Sequence, residues 1–290
     1  MKHGIYYAYW EKEWEADYLY YVDKASKLGF DILELGAKPL PDYTATQIRD
    51  LKSKAESNHI MLTAGYGPAF NQNMGSADPA IRKNATMWFT KLFEVMAALD
   101  IHFLGGAIYS YWPVDFSVPI NKPDDWKRSV EGMQILGPIA EQYNIALGME
   151  VLNRFENHIL NTSEEGVAFV KEVGQSNVKV MLDTFYMNIE ETSIGDAIRL
   201  AGDLLGHFHT GECNRMVPGK GRTPWREIGD ALKDIQYDKT VVMEPFVRTG
   251  GTVGQNIHVW RDISRGASEE QLDNDAKHAL EFQRYMLDWK

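Results

Sequence analysis

Four ligand-type side chains recur at comparable places in the second half of the chain: Glu150 in ALGMEVL, Asp183 in VKVMLDT, His209 in GHFHTGE and Glu244 in TVVMEPF. Each stands near the C-terminal end of a short apolar run. If those runs are neighbouring strands about 4.8 Å apart, inward side chains at one height converge on a single cation. Three carboxylates and one imidazole make an oxygen-rich site, which suits manganese, cobalt or magnesium better than thiolate-selected zinc or copper. A cation would also offset the cost of burying three negative charges together. Taken singly, each residue could be a buried acid paired with Lys or Arg, or a core histidine; the four together point to a metal site. His207, two residues before His209, points the same way one layer deeper and reads as core or as support for a ligand. Lys179 shares parity with Asp183 and is expected to neutralise it from below.

Such convergence needs strands whose ends lie side by side. Short apolar, often β-branched runs at 4–9, 30–35, 60–64, 101–107, 145–152, 178–183, 206–209 and 240–244 predict eight strands. Between them lie stretches of helical period at 13–28, 46–58, 79–99, 124–143, 163–173 and 194–201. Thr44 ahead of TQIRDLKSKAE, and Ser163 ahead of Glu164 and Glu165, read as helix starts. Alternation of strand and helix implies parallel strands with crossover helices. Eight such units predict one α/β domain over 1–290, a single (β/α)8 TIM barrel, with an open doubly wound sheet as the alternative. The Gly-, Pro- and charge-rich stretches 66–76, 110–124, 213–224 and 246–270 each follow a predicted strand. In a barrel that face carries the chemistry.

Composition narrows the class further. With 44% hydrophobic and 24% charged residues, the chain has the balance of a folded globular protein. Its 41 acidic and 30 basic residues give a net charge of -11, so neither nucleic acid nor an anionic membrane is an expected partner. The one cysteine, Cys213, permits no internal disulfide and suits a reducing, cytoplasmic location. Glu11, Lys12, Glu13 and Glu15 interrupt the N-terminal run before it could act as a secretory signal, and no stretch approaches the ~20 apolar residues of a membrane span. VPGKGRTPW lacks the spacing of a phosphate loop and reads as a rigid turn ending at Trp225, while Gly105 and Gly106 lack the rest of a dinucleotide fingerprint. No nicotinamide or flavin cofactor is expected. Glu156 and Arg215 follow the fifth and seventh predicted strands, and Tyr6, Trp112 and Phe246 offer flat apolar walls. That set suits a polyhydroxylated substrate, with C–H faces on the rings and hydroxyls on the charges.

The strings MKHGIYYAYW, GGAIYSYWPVDF, MEVLNRFENHILNT, VKVMLDTFYMNIEE, GHFHTGECNRMVPGKGRTPW and MEPFVRTGGTVGQNIHVWRDIS together resemble the ketose 3-epimerases. Within that family they are most similar to the D-psicose (D-allulose) 3-epimerase branch, over essentially the whole chain. The resemblance implies a metal-dependent (β/α)8 barrel acting on free ketohexoses. Position by position, it implies that Glu150, Asp183, His209 and Glu244 bind manganese or cobalt, and that Glu150 and Glu244 double as the two catalytic bases. It also implies that Glu156 and Arg215 hold substrate hydroxyls while Tyr6, Gly67, Ala107, Trp112 and Phe246 shape the pocket. One position departs: Tyr186 stands where the family motif reads LDTFHMN, and that histidine is implied to contact the sugar. A homodimer or homotetramer is the expected assembly.

The chemistry can also be stated without the family. Inverting a carbon next to a ketone requires removing its proton from one face and returning one to the other, so two bases must flank it. Strands five and eight are three apart in a ring of eight, which brings Glu150 and Glu244 in from nearly opposite sides. A cation on the C2 and C3 oxygens would stabilise the enediolate between the two transfers. An aldose–ketose isomerase is the nearest rival reading; a metal-dependent phosphodiesterase on the same scaffold is a more distant one.

Overall fold

Eight parallel strands close on themselves in chain order: β1 (Lys2–Tyr6), β2 (Ile32–Gly36), β3 (Met61–Gly65), β4 (Phe103–Gly106), β5 (Ala146–Glu150), β6 (Val178–Asp183), β7 (Leu205–Thr210) and β8 (Thr240–Met243). The computed structural model describes residues 1–288. β8 pairs back onto β1 with Thr240 opposite Lys2, so the sheet is a closed barrel and not the open doubly wound alternative. The helices are α1 (Tyr18–Leu28), α2 (Ala45–Ser57), α3 (Pro79–Ala98), α4 (Lys122–Gln142), α5 (Ser163–Val173), α6 (Thr184–Glu190), α7 (Ile194–Ala201), α8 (Trp225–Asp234), α9 (Gly251–Asn256) and α10 (Glu269–Leu287). No helix among the described residues is long and apolar enough to cross a membrane.

Capping sets several boundaries away from the apolar pattern. Asp17 accepts from the backbone N–H groups of Leu19 and Tyr20, so α1 begins at Tyr18, and the predicted helical stretch from Glu13 is loop up to that point. Thr44 and Gln47 form a reciprocal capping box at the start of α2. In α5 the cap is Thr162, whose hydroxyl accepts from Glu165 N–H, and Ser163 is the first helical residue. β1 stops at Tyr6 because Tyr7–Trp10 turn into a 3-10 helix, all four of them buried. Trp225 opens α8 instead of closing a turn, and α6, α8, α9 and α10 lie outside the stretches marked by helical period.

The barrel interior is filled by large side chains on some strands facing glycine on others. A Cβ on Gly105 would lie 2.4 Å from Met181 Sδ, and one on Gly148 would lie 2.3 Å from Phe103 Cζ. The Phe103 ring in turn stacks on His207, with centroids 4.5 Å apart. This packed floor leaves the polar residues to the C-terminal ends of the strands.

Candidate active site

Glu150, Asp183, His209 and Glu244 come from four successive strands, and one ligand atom of each lies within 4.8 Å of those of the other three. The convergence does not come from equal positions in the sheet. Glu150 pairs with Met181, two residues before Asp183; Asp183 is level with His209; and His209 is level with Val242, two residues before Glu244. The tilt of strands in a closed barrel offsets this stagger. Glu244 lies one residue beyond β8, where its N–H donates to Thr210 C=O at 2.8 Å and prolongs the ladder. Asp183 uses Oδ1 to accept from Phe185 N–H at the start of α6, which leaves Oδ2 for the cluster.

Few of these atoms find a partner within the protein. Glu150 Oε1, Asp183 Oδ2 and His209 Nδ1 are buried without a hydrogen bond. His209 Nδ1 stands 3.8 Å from Glu150 Oε1 and 3.7 Å from Glu244 Oε1. Burial pushes the Glu150 carboxyl well up, with Glu244, Asp183 and Glu156 adding to the effect and His209 opposing it. Burial and then the charge of Glu244 raise Asp183 to about 6, against the pull of His209 and Arg215. Burial would lower the His209 imidazole, yet the carboxylates of Glu34 and Glu244 hold it well above its usual range. Three crowded carboxylates around one ring nitrogen that has no hydrogen bond are a set that a hard or borderline divalent cation, displacing the protons, would satisfy.

Glu34 is a site residue that the sequence reading does not single out. It is a lone acid in the apolar run FDILELG, the same signal that marked the quartet, but it lies in the first half of the chain. From β2 its Oε1 accepts from His209 Nε2 at 2.6 Å, and its Oε2 accepts from Thr63 Oγ1 at 2.8 Å. His207 Nε2 is 3.0 Å from Oε2 without a hydrogen bond to it, so His207 packs against the same carboxylate from one layer down. Lys179 does not. It stands at the opposite end of β6, roughly 13 Å away at 3.3 Å per residue. Asp183 finds its cation in Arg215, whose Nη1 is 3.9 Å from Oδ2.

Above the quartet a cavity of about 230 Å³ is lined by Tyr6, Gly67, Ala107, Trp112, Tyr186 and Phe246, together with Glu150, His209 and Glu244. A Cβ on Gly67 would lie 2.9 Å from the Trp112 ring, so glycine there lets the indole lie close. Trp14, in the charged loop after β1, also lines the cavity; it donates to Asn256 Oδ1 and meets Trp112 and Phe246 edge-on. No signal in EKEWEADY marks it. Glu156 and Arg215 are not in the wall but behind it. Tyr186 Oη donates to Glu156 Oε2 at 3.1 Å and accepts from Arg215 Nη2 at 3.3 Å, and Trp112 Nε1 also donates to Glu156 Oε2. Burial, and then Glu156, raise the Tyr186 hydroxyl well above its ordinary range, so it is a neutral donor.

Arg215 adopts φ +64°, a left-handed conformation that costs a non-glycine residue about 1–3 kcal/mol. Its surroundings over-determine it. Its N–H donates to Glu212 C=O at 2.8 Å and its C=O accepts from Phe246 N–H at 2.9 Å. Buried Glu212 gathers Gly219 N–H, Thr223 N–H and Trp225 Nε1, which rigidifies the loop between β7 and α8. The guanidinium then lies 3.5 Å from the Phe185 ring centroid, with Nη1 3.5 Å from Glu244 Oε2.

A family model described as xylose isomerase-like TIM barrel matches residues 22–284. The chain is 61% identical over 288 residues to a D-psicose 3-epimerase of Ruminiclostridium cellulolyticum, covering 99% of this chain and 98% of that protein. It is 56% identical over 287 residues to a D-psicose 3-epimerase of Agrobacterium fabrum, covering 99% of each. The crystal structure of D-psicose 3-epimerase with D-tagatose from Clostridium cellulolyticum matches it with a TM-score of 0.98 at 61% identity, over 99% of both chains.

Proposed function

Because this chain belongs to the xylose isomerase-like TIM barrels and, within them, to the D-psicose 3-epimerases, we propose that it interconverts free D-fructose and D-psicose by inverting C3. The observation that carries this reading is the pair Glu150 and Glu244, which come from the ends of β5 and β8 and both reach one histidine nitrogen, 3.8 and 3.7 Å away, beneath an aromatic-walled cavity. A proton leaves C3 to one carboxylate, the electron pair delocalises onto the C2 oxygen as an enediolate, and the other carboxylate delivers a proton to the opposite face. Glu150, Asp183, His209 and Glu244 would hold manganese, cobalt or magnesium, which supplies fixed positive charge beside the ketose oxygens. Tyr6, Trp112 and Phe246 give C–H faces a flat apolar wall, with Gly67 and Ala107 keeping it open. Tyr186 faces the sugar, and Glu156 and Arg215, implied by the family to hold sugar hydroxyls, stand behind the wall and orient the Tyr186 hydroxyl. Exposed Phe70, Phe116 and Phe155, in the segments that follow β3, β4 and β5, support assembly as a homodimer or homotetramer, and the single Cys213 suits a reducing, cytoplasmic setting.

Incubation with D-fructose in deuterated water tests the reaction. NMR is expected to show solvent deuterium at C3 of both ketoses and none at C1. An aldose product with exchange at C1 would replace this reading by that of an aldose–ketose isomerase.

Tyr186 gives a second expectation. Its hydroxyl is already engaged by Glu156 and Arg215, so exchanging it for a smaller, titratable imidazole changes the hydrogen bonds offered to the substrate. One such bond to a buried hydroxyl is worth about 1–3 kcal/mol. Tyr186→His is therefore expected to change kcat/KM, or the preference among D-fructose, D-psicose and D-tagatose, by roughly tenfold to a hundredfold. Constants unchanged from wild type on all three sugars would show that this position does not contact the substrate in this way.

A further inference from the structure

We propose that Glu34 is a positioning residue that fixes the tautomer of His209, so that Nδ1 presents a bare lone pair to Glu150, Asp183 and Glu244. This inference rests on the metal-site reading above and adds a residue to it. Glu34 is buried to 1% exposure, and no Lys or Arg forms an ion pair with it among the described residues. Thr63 Oγ1 donates to Oε2 at 2.8 Å, so the carboxylate oxygens serve as acceptors and His209 Nε2, 2.6 Å from Oε1, carries the proton between them. When a divalent cation takes the place of the Nδ1 proton, a ring that keeps its proton at Nε2 is neutral and offers its lone pair at Nδ1, the atom that reaches toward two of the acids and has no hydrogen bond of its own.

The carboxylate is itself braced. Thr63 Oγ1 on β3 donates to Oε2, and His207 is pinned between the Phe103 ring and Thr240 Oγ1, 2.6 Å from Nδ1. Glu34, His207 and His209 could themselves be taken for a second three-ligand site. The 2.6 Å hydrogen bond argues for the proton-shared arrangement, because His209 Nε2 cannot donate to Glu34 and ligate a cation at once. A carboxylate behind a ligating histidine is the general device by which ring orientation and basicity are set.

Glu34→Gln in the full chain is the test, because the amide keeps the volume but can present its NH2 to His209 and so favour the other tautomer. Competition titration with Mn²⁺ is expected to show affinity about 10–100-fold weaker than wild type, with an altered Co²⁺ absorption spectrum and one metal per chain. Wild-type affinity within threefold and an unchanged Co²⁺ spectrum would overturn the inference, as would two metals per chain in the wild type. Should Glu34→Gln fail to fold, ¹⁵N-histidine NMR of the wild type loaded with Mg²⁺ decides: Nε2 of His209 protonated and Nδ1 not supports the inference, and the reverse refutes it. A wild type that binds no divalent cation would instead sink the metal-site reading itself.

Discussion

Chelation of divalent cations is expected to reduce turnover of D-fructose by at least about 100-fold, and manganese or cobalt is expected to restore it. Without a cation, Glu150, Asp183 and Glu244 share His209 and Arg215 as their counter-charges among the described residues. Arg215 reaches Asp183 at 3.9 Å and Glu244 at 3.5 Å, and the cation group nearest Glu150 is His209 Nδ1 at 3.8 Å. Nothing then balances the charge that builds on the substrate oxygens when the C3 proton leaves. Losing about 3 kcal/mol of transition-state stabilisation is about 100-fold in rate. Binding is also linked to folding, so cation at 100 times its Kd should add about 2.7 kcal/mol to stability and raise Tm. Rate, elemental metal content and Tm are measured on one preparation. Full turnover in protein shown to hold no metal would end the metal-dependent reading.

Replacing either flanking acid is expected to be as damaging. Glu150→Gln and Glu244→Gln each remove a base, an effect of about 10²–10⁴-fold, and each also removes a ligand charge. The two losses are separated by measuring bound metal beside rate: activity should fall much further than occupancy. With one carboxylate left, slow deuterium exchange into a single C3 epimer is the expected residual reaction, since one face keeps its base. A variant whose interconversion rate stays within about tenfold of wild type would contradict the assigned roles.

Much of this site could be read before any coordinates. Glu150, Asp183, His209 and Glu244 stood out because an acid or histidine closing an apolar strand is costly unless something binds it. Strand–helix alternation did the rest, since eight βα units can bury their apolar faces by closing into a barrel that brings strand ends together. The strings of residues around those ends then led to the epimerase family.

Other features depended on how distant segments meet. The quartet converges through strand tilt across a four-residue stagger, a quantity set by closure of the ring and carried by no local spacing. Lys179 had the right parity for Asp183 but the wrong depth, and parity says only which face a side chain takes. Arg215 won that place because the loop between β7 and α8, tied by Glu212, holds it in a backbone conformation that its residue type does not favour. Glu34 carried a legible signal, yet its meaning required His209, which is 175 residues away in sequence and 2.6 Å away in space. Residue type and local pattern mark the side chains that could do chemistry and the fold class that gathers them. Which cation neutralises which acid, and which nitrogen of His209 faces them, follows from contacts between residues far apart in the chain, and only tertiary structure creates those contacts.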